Sequence, residues 1–181
     1  DSQVGLEEVV VIAQSVGAVL VATWIHDYAP AIRGLVLASP AFKVKLYVPL
    51  ARPALALWHR LRGLFFINSY VKGRYLTHDR QRGASFNNDP LITRAIAVNI
   101  LLDLYKTSER IIRDAAAITL PTQLLISGDD YVVHRQPQID FYQRLRSPLK
   151  ELHLLPGFLL SRRHSQHSSH FINKIESFLT I

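Results

Sequence analysis

The stretch that decides the fold is Val9-Val10-Val11-Ile12-Ala13-Gln14-Ser15-Val16-Gly17, followed by an alanine-rich apolar run to about Tyr28. The four consecutive β-branched residues 9–12 predict a strand that is buried on both faces. The run over residues 18–28 is too long and too rich in alanine for a second strand, so it predicts a helix. Ser15 therefore lies at a predicted strand-to-helix turn.

Small residues stand on both sides of Ser15. A sharp strand-to-helix turn lifts a serine oxygen clear of the sheet and strains the serine backbone, which is the geometry of a nucleophile elbow. Ala13 and Gly17 occupy the positions where the elbow pattern Gly-x-Ser-x-Gly needs small residues, and Ala13 exceeds glycine by one methyl group. The alternative interpretation is an ordinary serine that caps a helix.

Four strands are predicted along the chain, at residues 9–13, 33–38, 122–127 and 151–155, and helical patterns lie between or after them. This alternation predicts an α/β fold with a parallel sheet and helices on both faces. Each predicted strand ends in turn residues. Because ligands bind at the carboxyl ends of the strands in such sheets, the turns are expected to converge on one site.

A long insertion interrupts the alternation at about residues 41–117. Prolines and glycines divide it, and we expect several helices and no strand, with one helix beginning at Asp89-Pro90. An excursion between consecutive parallel strands lies over their carboxyl ends, so the insertion would form a helical cap above Ser15. No linker divides the chain, which predicts a single domain over residues 1–181 that contains the cap.

Composition narrows the protein class. Hydrophobic residues make up 49% of the chain, and no apolar run is long enough to span a membrane, so a soluble globular protein is expected. The absence of cysteine excludes disulfides, thiolate metal sites and a cysteine nucleophile, and it is consistent with a cytoplasmic location. Methionine is also absent and the chain opens directly before a buried strand, so we expect earlier strands of the same protein to precede it. Without them the first strand would be an exposed edge, and these residues alone would be poorly soluble.

The net charge of +7 comes from one segment. The segment from Lys43 to Arg82 contains nine lysine and arginine residues but only one acidic residue, Asp79, and many apolar residues lie among them. Apolar faces flanked by cations fit an anionic membrane surface, which favours a lipid-derived substrate and peripheral membrane contact. A cap with merely solvated charges is the alternative. No groove-reading or base-stacking module accompanies the charge, so specific nucleic-acid binding is not expected.

Three segments together carry a family resemblance. They are the elbow, the cap segments Leu76-Thr77-His78-Asp79 and Asp89-Pro90-Leu91-Ile92, and the turn Gly128-Asp129-Asp130-Tyr131-Val132-Val133. With them the chain resembles the α/β-hydrolases of the monoacylglycerol lipase, lysophospholipase and serine aminopeptidase-like branch. The resemblance implies Ser15 as nucleophile, Asp130 as the triad acid with Asp129 second, and the Val16 backbone N–H as oxyanion donor. It implies neither a cofactor nor a metal.

The histidine that completes the triad is missing from its expected position. The family has a histidine two residues after Pro-Gly-Phe, whereas this chain has Leu160 there, after Pro156-Gly157-Phe158. His164, His167 and His170 follow closely. His164, presented by a loop insertion, is the candidate base. The alternatives are a local reading-frame shift, a zinc site without a matching carboxylate or cysteine partner, and a solvated polar loop.

The resemblance therefore predicts a serine hydrolase that cleaves carboxylic esters of lipid type, such as monoacylglycerols or lysophospholipids, through an acyl-enzyme. The family's second oxyanion donor comes from a loop after an earlier strand, which this stretch does not contain. The alternative function is a catalytically impaired remnant of the fold that acts as a membrane-associated or binding module.

Overall fold

A computed structural model describes residues 5–46, 50–69, 71–76, 80–156 and 165–180. Within them it has six strands, which are β1 (Val10–Gln14), β2 (Gly34–Ala38), β3 (Phe66–Asn68), β4 (Ala95–Ala97), β5 (Thr122–Ser127) and β6 (Lys150–Leu155). Its α-helices are α1 (Ser15–Tyr28), α2 (Ala51–Arg62), α3 (Gly73–Leu76), α4 (Arg80–Asn88), α5 (Val98–Arg113), α6 (Gln136–Arg144) and α7 (Ser165–Leu179). Short 3-10 turns lie at Leu6–Glu8 and Ala115–Ala117.

The main sheet has four parallel strands in the order β1-β2-β5-β6. These are the four strands that the apolar runs predict, within one residue at each end. Every residue of β2 and of β5 is buried, because these inner strands are covered on both faces. The prediction that β1 is buried on both faces is wrong for the described residues, since β1 lies at the edge of the sheet and Ile12 is 54% exposed. The predicted α/β fold with a parallel sheet and helices on both faces is confirmed.

Two apolar clusters lie on the two faces of this sheet. The larger joins α1, α5 and α6 to the sheet through residues such as Val19, Ile111 and Phe141, all fully buried. The smaller packs Ile175 and Phe178 of α7 against the opposite face. The parallel strands thus share one rigid core, which holds the turns at their carboxyl ends in place.

The insertion between β2 and β5 differs from the prediction in two ways. It does contain strands, because β3 and β4 pair as a short antiparallel ladder in which Ile67 lies opposite Ile96. No helix begins at Asp89-Pro90 either. The Asp89 side chain accepts a hydrogen bond from the Leu91 N–H at 2.9 Å and so forms a turn, and α5 begins later, at Val98.

The outer face of the β1–α1 unit is apolar and exposed. Val16, Leu20, Trp24 and Tyr28 follow at intervals of four along α1, so they share one helix face, and each is at least 38% exposed. Among the described residues no strand pairs with the outer edge of β1. Such an edge and face fit the expected earlier strands, and their presence and the poor solubility of this stretch alone stay predictions. No helix in the described part of the chain is long and apolar enough to cross a membrane.

Candidate active site

Ser15 lies at the junction between β1 and α1. Gln14 is extended, with φ −128° and ψ 146°, whereas Ser15 begins the helix with a φ of 54°. A positive φ is strained for any residue with a Cβ atom. The carbonyl of Ser15 accepts a hydrogen bond from the Ala41 N–H at 3.0 Å, which ties the turn to the segment after β2. The strand-to-helix elbow predicted around Ser15 is therefore present, with the backbone strain that it implies.

The need for small residues next to Ser15 is less strict than the pattern suggests. Ala13 is partly buried and packs against the larger core. At Gly17, however, no described atom beyond its chain neighbours and the backbone of its own helix lies within 4 Å of the position that a Cβ would take. Within the described residues the glycine is thus not required by crowding.

Val16 stands beside Ser15 in the first turn of α1. The first N–H groups of a helix have no partner inside the helix, so the Val16 N–H makes no hydrogen bond within α1. Ser15 and Val16 line the same cavity. A carbonyl oxygen that is bound at Ser15 would lie beside this donor.

Asp130 follows β5, and its two carboxylate oxygens have different roles. Oδ1 accepts hydrogen bonds from the N–H groups of Val132 at 2.7 Å and Val133 at 2.9 Å. Oδ2 is buried and has no hydrogen-bond partner among the described residues. The Lys45 ammonium group donates to the Asp130 carbonyl at 2.6 Å and so steadies the turn. Asp129, the second candidate for the acid, is exposed.

Asp130 is therefore a turn aspartate that bonds its own backbone, but only through one oxygen. A buried carboxylate oxygen without a partner is costly, so its free position calls for a donor. The N–H of an imidazole is such a donor, and this is the bond that the acid of a serine hydrolase triad makes.

The candidate bases lie where the structure gives no side-chain geometry. His164 is outside the described residues, as are Gly157, Phe158 and Leu160. His167 and His170 belong to α7. Of the predicted site residues, the structure brings Ser15 and Val16 together on one cavity wall, and Val132, two residues after Asp130, lines the same cavity. No histidine among the described residues lines that cavity.

The cavity beside Ser15 has a volume of about 650 Å³ and extends between the sheet and the insertion. The sheet side contributes Ser15, Val19 and Val132, and the insertion contributes residues such as Ile67, Leu76, Phe86 and Ile96. Its lining is apolar apart from Ser15, Asn68, Ser69, Asp103 and Thr107. A chamber of this size and lining suits an aliphatic chain.

Sequence reasoning missed the part of this wall that β3 and β4 provide. Ile67, Asn68 and Ser69 enter the cavity because β3 pairs with β4, and Ile96 enters from the partner strand. The apolar run Phe65-Phe66-Ile67 was the available signal, since a short apolar run suits a strand as well as a helix. No group of three histidine or acidic side chains in the described ranges is arranged to hold a metal ion.

Comparisons with known proteins identify two curated relatives. The chain is 89% identical over 180 residues to "Uncharacterized protein YnbC" of Escherichia coli (strain K12), covering 99% of this chain and 31% of that protein. It is 25% identical over 129 residues to a putative monoglyceride lipase of Schizosaccharomyces pombe, covering 71% of this chain and 32% of that protein. The chain thus spans about a third of the length of these curated relatives.

Solved structures share the fold at low sequence identity. The monoacylglycerol lipase of Paleococcus ferrophilus superposes with a TM-score of 0.84 at 16% identity, over 94% of this chain and 68% of that one. A soluble variant of the Saccharomyces cerevisiae monoglyceride lipase superposes with a TM-score of 0.81 at 15% identity, over 93% of this chain and 60% of that one.

The family model for serine aminopeptidase, S33, matches residues 2–161 and ends directly before the stretch that contains His164. With the elbow at Ser15, the parallel sheet and the inserted segment over its carboxyl edge, this match means that the chain belongs to the serine aminopeptidase S33 family of α/β-hydrolases.

Proposed function

We propose that the protein is a serine hydrolase that cleaves lipid-type carboxylic esters, such as monoacylglycerols or lysophospholipids, through an acyl-enzyme on Ser15. The observation that carries the proposal is the strained Ser15 on the wall of a large apolar cavity. Membership of the S33 family supports hydrolysis, and the relatives that are named monoglyceride lipases support an ester substrate.

The reaction would begin at the hydroxyl of Ser15. A histidine, for which His164 is the candidate, takes the proton as Ser15 Oγ attacks the ester carbonyl carbon. The resulting oxyanion receives a hydrogen bond from the Val16 N–H. The same histidine then gives its proton to the departing alcohol, and water, deprotonated in turn, releases the fatty acid from Ser15.

Asp130 would orient that histidine through its free oxygen. Oδ1 is already occupied by the two backbone N–H groups, so the carboxylate cannot rotate without losing both hydrogen bonds. Oδ2 would then accept the imidazole N–H, hold the ring in the tautomer that can take the serine proton, and stabilise the imidazolium. This chemistry uses neither a cofactor nor a metal.

The cavity supports an aliphatic acyl chain rather than a peptide as the group beside Ser15. A peptide would need partners for its backbone N–H and C=O groups, because unpaired buried polar groups are costly. The wall offers few polar side chains, whereas an acyl chain asks only for apolar contact.

Hydrolysis rates with matched substrates test this assignment. We expect kcat/KM to rise by up to about fourfold for each methylene of the acyl chain that enters the cavity, and we expect aminoacyl anilides to be poor substrates. Ile100→Trp, which adds volume to the cavity wall from an exposed position, should lower the rate with long chains and spare acetyl esters, and Ile100→Val is the matched control. A preference for aminoacyl substrates would refute the proposed lipid ester.

Helix α2 supports contact with a membrane surface. Leu50, Leu57, Trp58 and Leu61 lie on one side of this helix and are 48% to 80% exposed, and α2 has no buried residue. Arg60 and Arg62 flank this apolar side at helical spacing, and the Arg62 guanidinium lies 4.7 Å from the centre of the Trp58 ring. Such a helix would lie in the headgroup region of an anionic membrane, which suits a peripheral, cytoplasmic protein.

The second candidate function is a membrane-associated module without catalysis. Leu160 at the family's histidine position favours it. Under both functions we expect Trp58 fluorescence to shift to the blue with vesicles of phosphatidylglycerol and not with phosphatidylcholine, because the flanking arginines need anionic lipid. Leu61→Glu should abolish the shift, and Leu154→Glu, an exposed leucine on β6, should not. A shift of equal size with both lipids would refute an anionic preference.

A further inference from the structure

A second, smaller cavity lies next to the first and has a more polar lining. It has a volume of about 330 Å³, and its polar lining consists of Lys43, Arg52, Tyr105 and His134. Val44 and Leu46 line both this cleft and the large cavity, so one short segment of chain forms a wall of each. A molecule with an apolar chain and a polar head could therefore place one part in each.

Backbone pairing between two distant segments builds the cleft. Val44 and Val133 form an antiparallel bridge, with the Lys45 N–H donating to the Val132 carbonyl and the His134 N–H donating to the Lys43 carbonyl, each at 2.8 Å. The Tyr105 hydroxyl donates to the Val44 carbonyl at 2.9 Å and ties α5 to the same bridge. Lys43 and His134 are thus held opposite each other.

Positive charge dominates this region. Burial, and then the nearby Lys43 and Lys45 ammonium groups, hold the pKa of His134 below its ordinary value. The hydrogen bond from Arg52 lowers the pKa of Glu109 on α5, and the charge of Lys43 adds to this effect. Counting Lys43 and Arg52, which line the cleft, against Glu109 leaves one positive charge when His134 is neutral. No acidic residue is among those that line the cleft in the described part of the chain.

We propose that this cleft binds a phosphate group, with Lys43 and His134 as its hydrogen-bond donors, and that the phosphate is the headgroup of a lysophospholipid whose acyl chain lies in the large cavity. The proposal rests on the proposed function, because it assigns the headgroup of the ester that Ser15 would cleave. Lysine is an effective phosphate ligand as a point charge, and a neutral imidazole supplies one N–H donor. Arg52 stays with Glu109 and adds to the field.

Binding measurements separate this site from catalysis. In the full-length protein with Ser15→Ala, titration calorimetry below the micelle concentration would compare oleoyl lysophosphatidate with monooleoylglycerol, which has the same chain and no phosphate. We expect the phosphate lipid to bind at least about tenfold more tightly, the effect of one charge-assisted hydrogen bond. Lys43→Ala should abolish the difference, and Lys43→Arg should retain most of it.

Arg144→Ala is the matched control, since Arg144 is an exposed cation on α6 that does not line the cleft. His134→Gln is a second variant, in which the amide can still donate one hydrogen bond, and circular dichroism checks that each variant is folded. The difference between the two lipids should survive both replacements.

A third titration uses inorganic phosphate. If phosphate alone binds and Lys43→Ala abolishes this while the two lipids bind equally, the cleft is a site for free phosphate, and the headgroup assignment is wrong. If Lys43→Ala changes neither the affinity for the phosphate lipid nor the affinity for inorganic phosphate, the anion site is refuted. All of these titrations use Ser15→Ala, so they measure binding without hydrolysis. Failure of the proposed hydrolysis would be seen in a separate assay, in which the wild-type protein does not cleave monooleoylglycerol.

Discussion

Replacement of Ser15 by alanine in the full-length protein should lower kcat for monooleoylglycerol hydrolysis on the order of 10⁴-fold to 10⁶-fold, the range found when a serine hydrolase loses its nucleophile. The cause is the loss of the oxygen that forms the acyl-enzyme. The same change should abolish covalent labelling by a fluorophosphonate, which reacts only with an activated serine. Peptide mass spectrometry of the labelled wild-type protein should find the adduct on Ser15.

The matched control is Ser108→Ala. The Ser108 hydroxyl is fully buried and has no hydrogen-bond partner among the described residues, so its removal leaves no new unpaired group. We expect rates within about twofold of wild type. If labelling survives Ser15→Ala, or if wild type is folded and never labelled, the acyl-enzyme mechanism is wrong.

A second replacement at this position, Ser15→Gly, tests the backbone strain of the elbow. Ser15 has a φ of 54°, where a side chain costs about 1 kcal/mol and glycine costs nothing. Ser15→Gly should therefore keep the fold, remain as inactive as Ser15→Ala, and show a larger free energy of unfolding than Ser15→Ala. Equal free energies of unfolding would mean that the elbow is not strained.

Replacement of Asp130 by asparagine should lower kcat for the same ester by about 10⁴-fold, as the corresponding change does in serine proteases. Asparagine has the same shape, and its amide oxygen can keep the two hydrogen bonds from the N–H groups of Val132 and Val133. Its amide nitrogen would take the place of Oδ2 and can only donate. The histidine would then lose the acceptor that selects its reactive tautomer.

Asp129→Asn is the control, because Asp129 is the neighbouring aspartate in the same turn and is exposed. We expect little change in rate, since its carboxylate lies in solvent. Thermal unfolding of both variants should stay close to wild type, which separates an effect on the reaction from loss of the turn. A larger loss for Asp129→Asn than for Asp130→Asn would transfer the role of the acid to Asp129.

The residue types within each strand and in the turn after it explain why so much of the sheet could be predicted. Residues 9–12 are β-branched and apolar, β2 consists of apolar residues and glycine, and β5 contains the apolar run Leu124-Leu125-Ile126, as is typical of strands in a parallel sheet. Turn residues follow each strand. These signals depend only on near neighbours, so the strand ends were predicted to within one residue.

The insertion could not be predicted in the same way. Strands β3 and β4 have three residues each, so neither is long enough to show a periodic pattern of apolar residues. They are far apart in the chain, and only their pairing makes them strands. At Asp89-Pro90 the dipeptide suits a helix start, but the aspartate side chain closes a turn on the Leu91 N–H instead. The wall of the large cavity, which includes Ile67 and Ile96, depends on these pairings.

Asp130, the candidate acid, could be predicted only in part. The turn after β5 and the family resemblance selected Asp130, with Asp129 second. The backbone bonds to Oδ1 and the unpaired, buried Oδ2 of Asp130 appear only in the folded turn. The base stays a prediction, because His164 lies outside the described residues.

The sequence by itself determined the parallel sheet, the strand-to-helix turn at Ser15 and the concentration of positive charge between Lys43 and Arg82, since each follows from residue type and short-range pattern. Only the tertiary structure decided which face of each segment lines a cavity. It also placed Lys43 beside His134, because the pairing of Val44 with Val133 joins segments that no local pattern relates. Such long-range contacts are selected by the packing of the whole chain, and they shape both the apolar cavity and the basic cleft.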